Sequence, residues 1–229
     1  MELLQHLLSA DASAPRLSVY NEADGTRMDF SAQTLENWTS KIANMLLEEL
    51  DLEPDSDSRI LIDLPVSWQA AVIALGALAA GVPFDVTDGA AVEEQPRPDS
   101  VAVLFTSPEA FAAGTALPSA DTVLVTHDPF GRGVVESGGE LPVGTIDFGP
   151  TVRFYGDHFY GSTTPLPELF PTDSGAERVL SPGWSDTASF QRAVLEPLAA
   201  GGSAVIVAGL CSADRLEEIA DNEKVTVRA

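Results

Sequence analysis

Histidine is the residue type in this sequence that could do most chemistry, because imidazole ligates metals and moves protons near neutral pH. There are three, His6, His127 and His158, and two of them stand beside aspartates, as His127-Asp128 and Asp157-His158. Adjacent residues do not share a helical face, and no zinc-type ligand spacing surrounds either pair. A metal site from His127, Asp157 and His158 would need the fold to bring two loops together; exposed loop histidines are the plainer reading. Serine hydrolysis has no foothold, since no nucleophile-elbow sequence is present. Gly131-Arg132-Gly133 is not followed by a helical pattern, so it is not a dinucleotide fingerprint. Trp184, in a Pro-Gly-Trp-Ser-Asp turn, could line a pocket, with core packing favoured. The single cysteine, Cys211, reads as a small packing residue. It gives no intramolecular disulfide and points to a reducing compartment.

The elements that would position such groups follow from hydrophobic spacing. Leu3, Leu4, Leu7 and Leu8 share one helical face, and residues 11–15 end that helix. Residues 17–20 and 26–30 read as a hairpin around Asp24-Gly25, a strong turn dipeptide. Ser31 is placed to cap a helix in which Leu35, Trp38, Ile42, Met45, Leu46 and Leu50 recur at helical spacing. An acidic turn leads to an apolar strand at 59–64, broken by Pro65. Ser67 caps a second helix, 68–80, stopped by Gly81 and Pro83. That helix is apolar nearly all round and therefore buried. With a strand at 82–86 it completes a βαβ unit, the building block of parallel sheets.

Further along the pattern thins. Residues 90–99 read as an acidic, proline-containing loop. Residues 101–105 and 122–126 are strands, 108–113 a short helix, and 128–144 a glycine-rich exposed loop or hairpin. Residues 145–148 and 152–155 are weaker strands, and 157–176 is the least regular stretch. Regularity returns with a strand from 178, a helix over 187–200 closed by Gly201-Gly202, a strand at 204–208, a helix at 213–220 and a last strand at 224–227. No internal repeat is visible. The alternation is α/β, a mostly parallel sheet flanked by helices. The chain reads as one domain with a subdivision near residue 177, giving sections 1–176 and 177–229.

Composition narrows the partners. Thirty-five carboxylates face 12 lysines and arginines, a net charge of −23. Such a surface repels phosphate backbones and anionic lipid, which argues against nucleic acid and membrane as partners. It also hinders capture of ATP or coenzyme A unless the few basic groups converge. The apolar content of 45% suffices for a substantial core. Glu2 stands where a secretory signal needs basic residues, and the longest apolar run, 70–84, is too short for a bilayer. The expected location is the cytoplasm. Asn37-Trp38-Thr39 matches a glycosylation sequon but falls within a helix, and is read as chance.

Three stretches, in order, resemble the adenylate-forming superfamily of acyl- and aryl-CoA synthetases, luciferases and peptide-synthetase adenylation domains. Asp24-Gly25-Thr26 through Leu50, with Phe30, Ser31 and Leu35, is similar to the hairpin and long helix near the family's N-terminus. Asp57-Ser58-Arg59-Ile60, Leu64-Pro65-Val66-Ser67 and Leu75-Gly76-Ala77-Leu78-Ala79-Ala80-Gly81-Val82-Pro83-Phe84 resemble the strand, turn and small-residue helix that follow. Leu195 to Val207, and then Ala213 to Thr226, resemble a later helix-to-strand step and the helix beyond it. Together these touch about half the chain and are scaffold segments. They imply the fold of the family's N-terminal subdomains more than they imply an activity.

In that family a Ser/Thr/Gly-rich loop ending in lysine embraces the phosphates of ATP. The corresponding stretch is Tyr160-Gly161-Ser162-Thr163-Thr164-Pro165-Leu166-Pro167-Glu168, so the resemblance nominates Gly161, Ser162, Thr163 and Thr164 as a degenerate phosphate loop. A chance match of a Ser/Thr/Pro surface loop is the competing reading. Pro165 replaces a glycine, removing a donor and fixing φ. Glu168 replaces the lysine, reversing the charge offered to phosphate. The resemblance also implies that the family's adenine, magnesium, ribose and lid motifs have no counterpart before residue 229. It therefore assigns no catalytic residue and no metal ligand. The expectation is a non-catalytic relative without cofactor, serving a small ligand, a protein partner or a second copy of itself. Two rivals stay open. One is a reduced but active ligase using ATP or AMP with magnesium, with Arg153, Arg178 or Arg192 replacing the lysine. The other is one chain of a split enzyme.

Overall fold

The computed structural model describes residues 1–89, 100–117 and 119–229; the loop expected over 90–99 lies outside the described residues. A short helix α1 (Gln5–Asp11) leads into an antiparallel hairpin, β1 (Pro15–Asn21) and β2 (Thr26–Ser31). The hairpin turn is built by side chains mimicking backbone. The Ala23 amide donates to Asn21 Oδ1 at 3.1 Å and the Thr26 amide to Asp24 Oδ1 at 2.9 Å. Gly25 supplies the left-handed conformation, φ +71°. Helix α2 (Ala32–Glu48) follows, its first turn held by Ser31 Oγ, which accepts the Thr34 amide at 3.2 Å.

The next stretch is built of strands with helices between some of them. Strand β3 (Arg59–Asp63) feeds α3 (Trp68–Ala80), capped by Ser67 and ended by Gly81 in the left-handed region at φ +68°. All of α3 except Leu78 is buried, as its apolar circumference requires. Then come β4 (Phe84–Thr87), β5 (Val101–Thr106), α4 (Pro108–Ala112), β6 (Asp121–Leu124) and β7 (Thr145–Asp147). These strands form a parallel sheet in the order β4-β3-β5-β6-β7. Helix α5 (Phe148–Phe154) occupies the stretch expected as a strand at 152–155. Phe148 and Val152 stand four apart and are both buried, so the segment carries a helical face that its β-type residues obscure.

The second sheet is assembled from both ends of the chain. After α6 (Leu166–Leu169) and β8 (Arg178–Ser181) comes a continuous helical run: α7 (Thr187–Phe190), a π-helical turn (Gln191–Leu195) and α8 (Glu196–Ala199). Strand β9 (Ser203–Ala208), helix α9 (Ala213–Glu223) and β10 (Val227–Arg228) complete the order. The sheet runs β10-β8-β9-β1-β2, parallel except for the β1–β2 hairpin. The expected helix over 187–200 is present but widened in its middle. Pro197 explains this: its ring would strike the carbonyl four residues back, and it has no amide to donate. The turn relaxes so that the Glu196 amide reaches Gln191 O, five residues earlier.

The chain divides into two units. One is Asn37–Thr163 with Met1 and contains the five-stranded parallel sheet; the other is Glu2–Glu36 with Thr164–Ala229 and contains the mixed sheet. Each sheet has its own buried residues: Ile60, Ile62, Leu104 and Phe105 in the first, and Leu17, Val205, Ile206 and Val207 in the second.

Candidate functional site

The stretch nominated for phosphate binding starts in the first unit. Lys41 Nζ donates to Tyr155 O at 2.7 Å and pairs with Asp157 at 2.9 Å. Asn44 Nδ2 donates to His158 O at 3.0 Å. These contacts fix the approach to the loop. Gly161 lies flat on Phe159: a Cβ there would come within 2.3 Å of the ring. Gly161 and Ser162 are exposed, whereas Thr163 is buried with 7% of its surface accessible.

In the second unit the stretch continues with exposed Thr164 and then commits its backbone. Pro165 and Pro167 have no amide hydrogen. The Leu166 amide donates to Leu3 O at 3.0 Å, and the Glu168 and Leu169 amides donate to Pro165 O at 2.9 and 3.2 Å. From 165 to 169 every N–H is either absent or engaged within the chain. No residue from 156 to 170 takes a left-handed backbone, so the alternation that forms an anion nest is missing. The Glu168 side chain stands in solvent.

Cations are committed elsewhere. Arg153 donates to Gly131 O at 2.7 Å and pairs with Glu136. Arg178 is bonded to Glu223, Ser18 and Ser203. Arg59 faces Asp85, Arg132 faces Asp128, Arg215 faces Glu22 and Glu218, and Arg228 faces Glu217. Arg16 donates to Gly201 O at 2.8 Å. Among the described residues only Arg192 and Lys224 lack such a partner.

The other nominated side chains are separated by the fold. His6 bonds Leu198 O at 2.8 Å, and His127 stands 3.6 Å from Glu109. The His158 ring lies 6.5 Å from that of Tyr160. Among the described residues no three histidine, cysteine, aspartate or glutamate side chains converge as metal ligands. Trp184 is buried and packs edge-on against Phe190, centroids 4.9 Å apart. Cys211 is half-buried at the rim of the cluster containing Tyr20, Val205 and Ile219. Among the described residues no helix is long and apolar enough to cross a membrane.

Two features escaped the sequence reading. The first is a buried charge cluster on the second sheet. Glu223, at the end of α9, accepts Tyr20 Oη at 2.5 Å, Arg27 Nη2 at 2.7 Å and an Arg178 guanidinium nitrogen. Burial pushes this carboxyl up, but the hydrogen bonds from Tyr20, Arg178 and Arg27 outweigh it and hold it below the ordinary glutamate value. Burial, and then Glu223 itself, push the Tyr20 phenol up. The four residues come from β1, β2, β8 and α9, so no local spacing signals them. The second feature is a hollow of about 260 Å³ beside β10, with Arg192 and Glu196 in its wall.

No family model matches the chain. A TIGR03089 family protein of Mycobacterium tuberculosis is 32% identical over 243 residues, an alignment covering 98% of this chain and 95% of that protein. Among solved structures, a Brucella canis acyl-CoA synthetase superposes with a TM-score of 0.74 at 15% identity, covering 100% of this chain and 47% of its own. Acetoacetyl-CoA synthetase from Streptomyces lividans gives 0.71 at 16% identity, covering 98% and 41%. A benzoate CoA ligase from Burkholderia xenovorans gives 0.65 at 15% identity, covering 100% and 50%. The chain thus carries the fold of part of these enzymes, and spans about half the length of the solved structures it matches.

Proposed function

Since the chain belongs to the TIGR03089 family and carries an acyl-CoA synthetase-like fold, we propose that it is a non-catalytic relative of those ligases. In this reading it keeps the scaffold and serves a small ligand or a protein partner, in the cytoplasm and without ATP. The observation that carries the proposal is the backbone from 165 to 169. Phosphate capture depends on several free N–H groups aimed at one point, assisted by a cation. Here Pro165 and Pro167 offer none, the remaining amides are engaged, and Glu168 contributes a negative charge. Gly161, Ser162, Thr163 and Thr164 keep the residue types of a phosphate loop without the donors that should follow them.

The rival reading, a reduced but active ligase, needs a substitute cation. Arg153 and Arg178 are each held by a carboxylate, which supports the non-catalytic reading. The test is pyrophosphate release from purified protein given ATP, magnesium and a panel of carboxylic acids, beside calorimetry with ATP–magnesium at millimolar concentration. Neither pyrophosphate nor binding heat is expected. Pyrophosphate above the rate without protein would overturn the proposal in favour of the active ligase.

A further inference from the structure

The hollow beside β10 is small, mixed in chemistry and flanked by the π-helical turn. Its apolar wall is Val179 of β8, Val227 of β10 and Pro197 of α8; its charged groups are Arg192, Glu196 and Glu177. At about 260 Å³ it falls below the ~300–1,000 Å³ of sites that enclose drug-sized ligands. A nucleotide or coenzyme A is too large for it.

Arg192 is unusual in this chain. Carboxylates outnumber cations 35 to 12, and nearly every described arginine has found a partner. Arg192 has none within ion-pair distance among the described residues. Asp186, whose charge it influences, is occupied as the cap of α7, accepting the Ser189 amide at 2.7 Å. Glu196 is four residues on, the spacing that pairs opposite charges on a regular α-helix. The π-helical turn over Gln191–Leu195 alters that spacing. It leaves one guanidinium and one carboxylate facing the same hollow as separate arms. Glu196 takes a hydrogen bond from Gln191 at 3.0 Å instead.

We propose that this hollow binds a small apolar zwitterion, a free aliphatic α-amino acid. Its carboxylate would lie on Arg192, its ammonium against Glu196 and Glu177, and its side chain on Val179, Pro197 and Val227. A planar guanidinium suits a carboxylate through paired N–H donors. A ligand of zero net charge is the kind that a chain of −23 does not repel, whereas a simple carboxylate is repelled. Occupancy here is independent of what the 161–168 loop does.

The test uses the full chain and three probes: L-leucine, 4-methylpentanoate (its carboxylate without the ammonium) and isopentylamine (its ammonium without the carboxylate). Isothermal calorimetry at millimolar ligand should show L-leucine binding, with each half-ligand at least about tenfold weaker. Backbone amide NMR shifts should cluster at Val179, Ala200 and Val227. Arg192→Gln should weaken L-leucine at least about tenfold while leaving the melting temperature unchanged, because Arg192 is exposed. No heat and no shifts with L-leucine would overturn the proposal. So would equal binding of either half-ligand, shifts centred elsewhere, or undiminished binding by Arg192→Gln. Pyrophosphate release in the preceding test would sink the non-catalytic reading and leave this one standing.

Discussion

The two units place their charges differently. In the unit of residues 37–163 the ion pairs among the described residues lie at the surface. Arg59–Asp85, Arg153–Glu136 and Lys41–Asp157 each have at least one partner more than a third exposed. The other unit has surface pairs too, such as Arg228–Glu217, but it adds a buried one: Glu223 and Arg178 pair with side-chain exposures of 6% and 16%, and Tyr20 and Arg27 complete the cluster. The first unit's sheet comes from one continuous stretch, so each strand pairs with one next to it or one removed in sequence. The second joins residues up to 203 positions apart, as between Tyr20 and Glu223. A sheet assembled from the two ends of a chain has a register to specify, and a satisfied buried carboxylate is one way to specify it.

The strongest way to break that comparison is to remove the carboxylate. Glu223→Ala leaves Arg178 buried beside an empty acceptor, and breaking a buried pair from one side costs ~3–5 kcal/mol. A loss near the lower end, about 3 kcal/mol, is expected because Arg27 is half exposed and can reach water. Glu136→Ala in the first unit should cost far less, because its pair with Arg153 is exposed. Urea denaturation of both variants measures the difference. Equal losses would remove the distinction between the units.

Much of the scaffold was legible from spacing and punctuation. The Asp24-Gly25 turn, the Ser67 cap, the Gly81 stop and the apolar circumference of α3 all carry local signals, and each matches its element. The less legible parts have particular causes. The π-helical turn follows from Pro197, whose clash was visible in the sequence but hidden by the strong helical pattern around it. Helix α5 replaced an expected strand because Val152 and Phe154 suit either structure, and only burial of Phe148 with Val152 decides. Of the nominated site, the residue types at Gly161 to Thr164 were readable. That Leu166, Glu168 and Leu169 spend their amides within the chain was not, because those partners include Leu3 at the far end. The Glu223 cluster and the hollow at Arg192 are likewise products of long-range closure.

A second prediction probes packing in the first unit, where helices rather than charges set the fit. A Cβ on Gly76 would sit 2.3 Å from Ile42 Cγ2 and 2.5 Å from its Cβ. The glycine lets α3 and α2 approach. Alanine at this position gains up to ~1 kcal/mol of helix propensity and meets an overpacking cost of ~1–3 kcal/mol. A net loss of about 1–2 kcal/mol is expected for Gly76→Ala. Gly156→Ala, with nothing within 4 Å of the added carbon, should fall within ~0.5 kcal/mol of the parent. A stabilised Gly76→Ala would mean that the first unit yields where the coordinates show contact.

The smallest effects appear on the pH axis, where each unit holds one group whose titration bears on folding. Glu223 is held below its ordinary value of 4.5. Its contribution is complete above that value and is lost as pH falls through the lower folded value. The first unit holds the reverse case. Burial, and then the hydrogen bond from its hydroxyl to Glu49 Oε2 at 2.9 Å, push the Tyr155 phenol from 10.0 up to about 12. A raised phenol favours the folded state below pH 10, and that advantage is lost as pH rises toward 12. After allowance for solvent screening it amounts to on the order of 1 kcal/mol. Urea midpoints measured across pH should show Glu223→Ala flattening the acid limb, with a smaller change at the alkaline end because Glu223 also raises the Tyr20 phenol, and Tyr155→Phe flattening the alkaline limb alone. If Tyr155→Phe flattened the acid limb as well, the titrations would not belong to separate units and the contrast between them would fail.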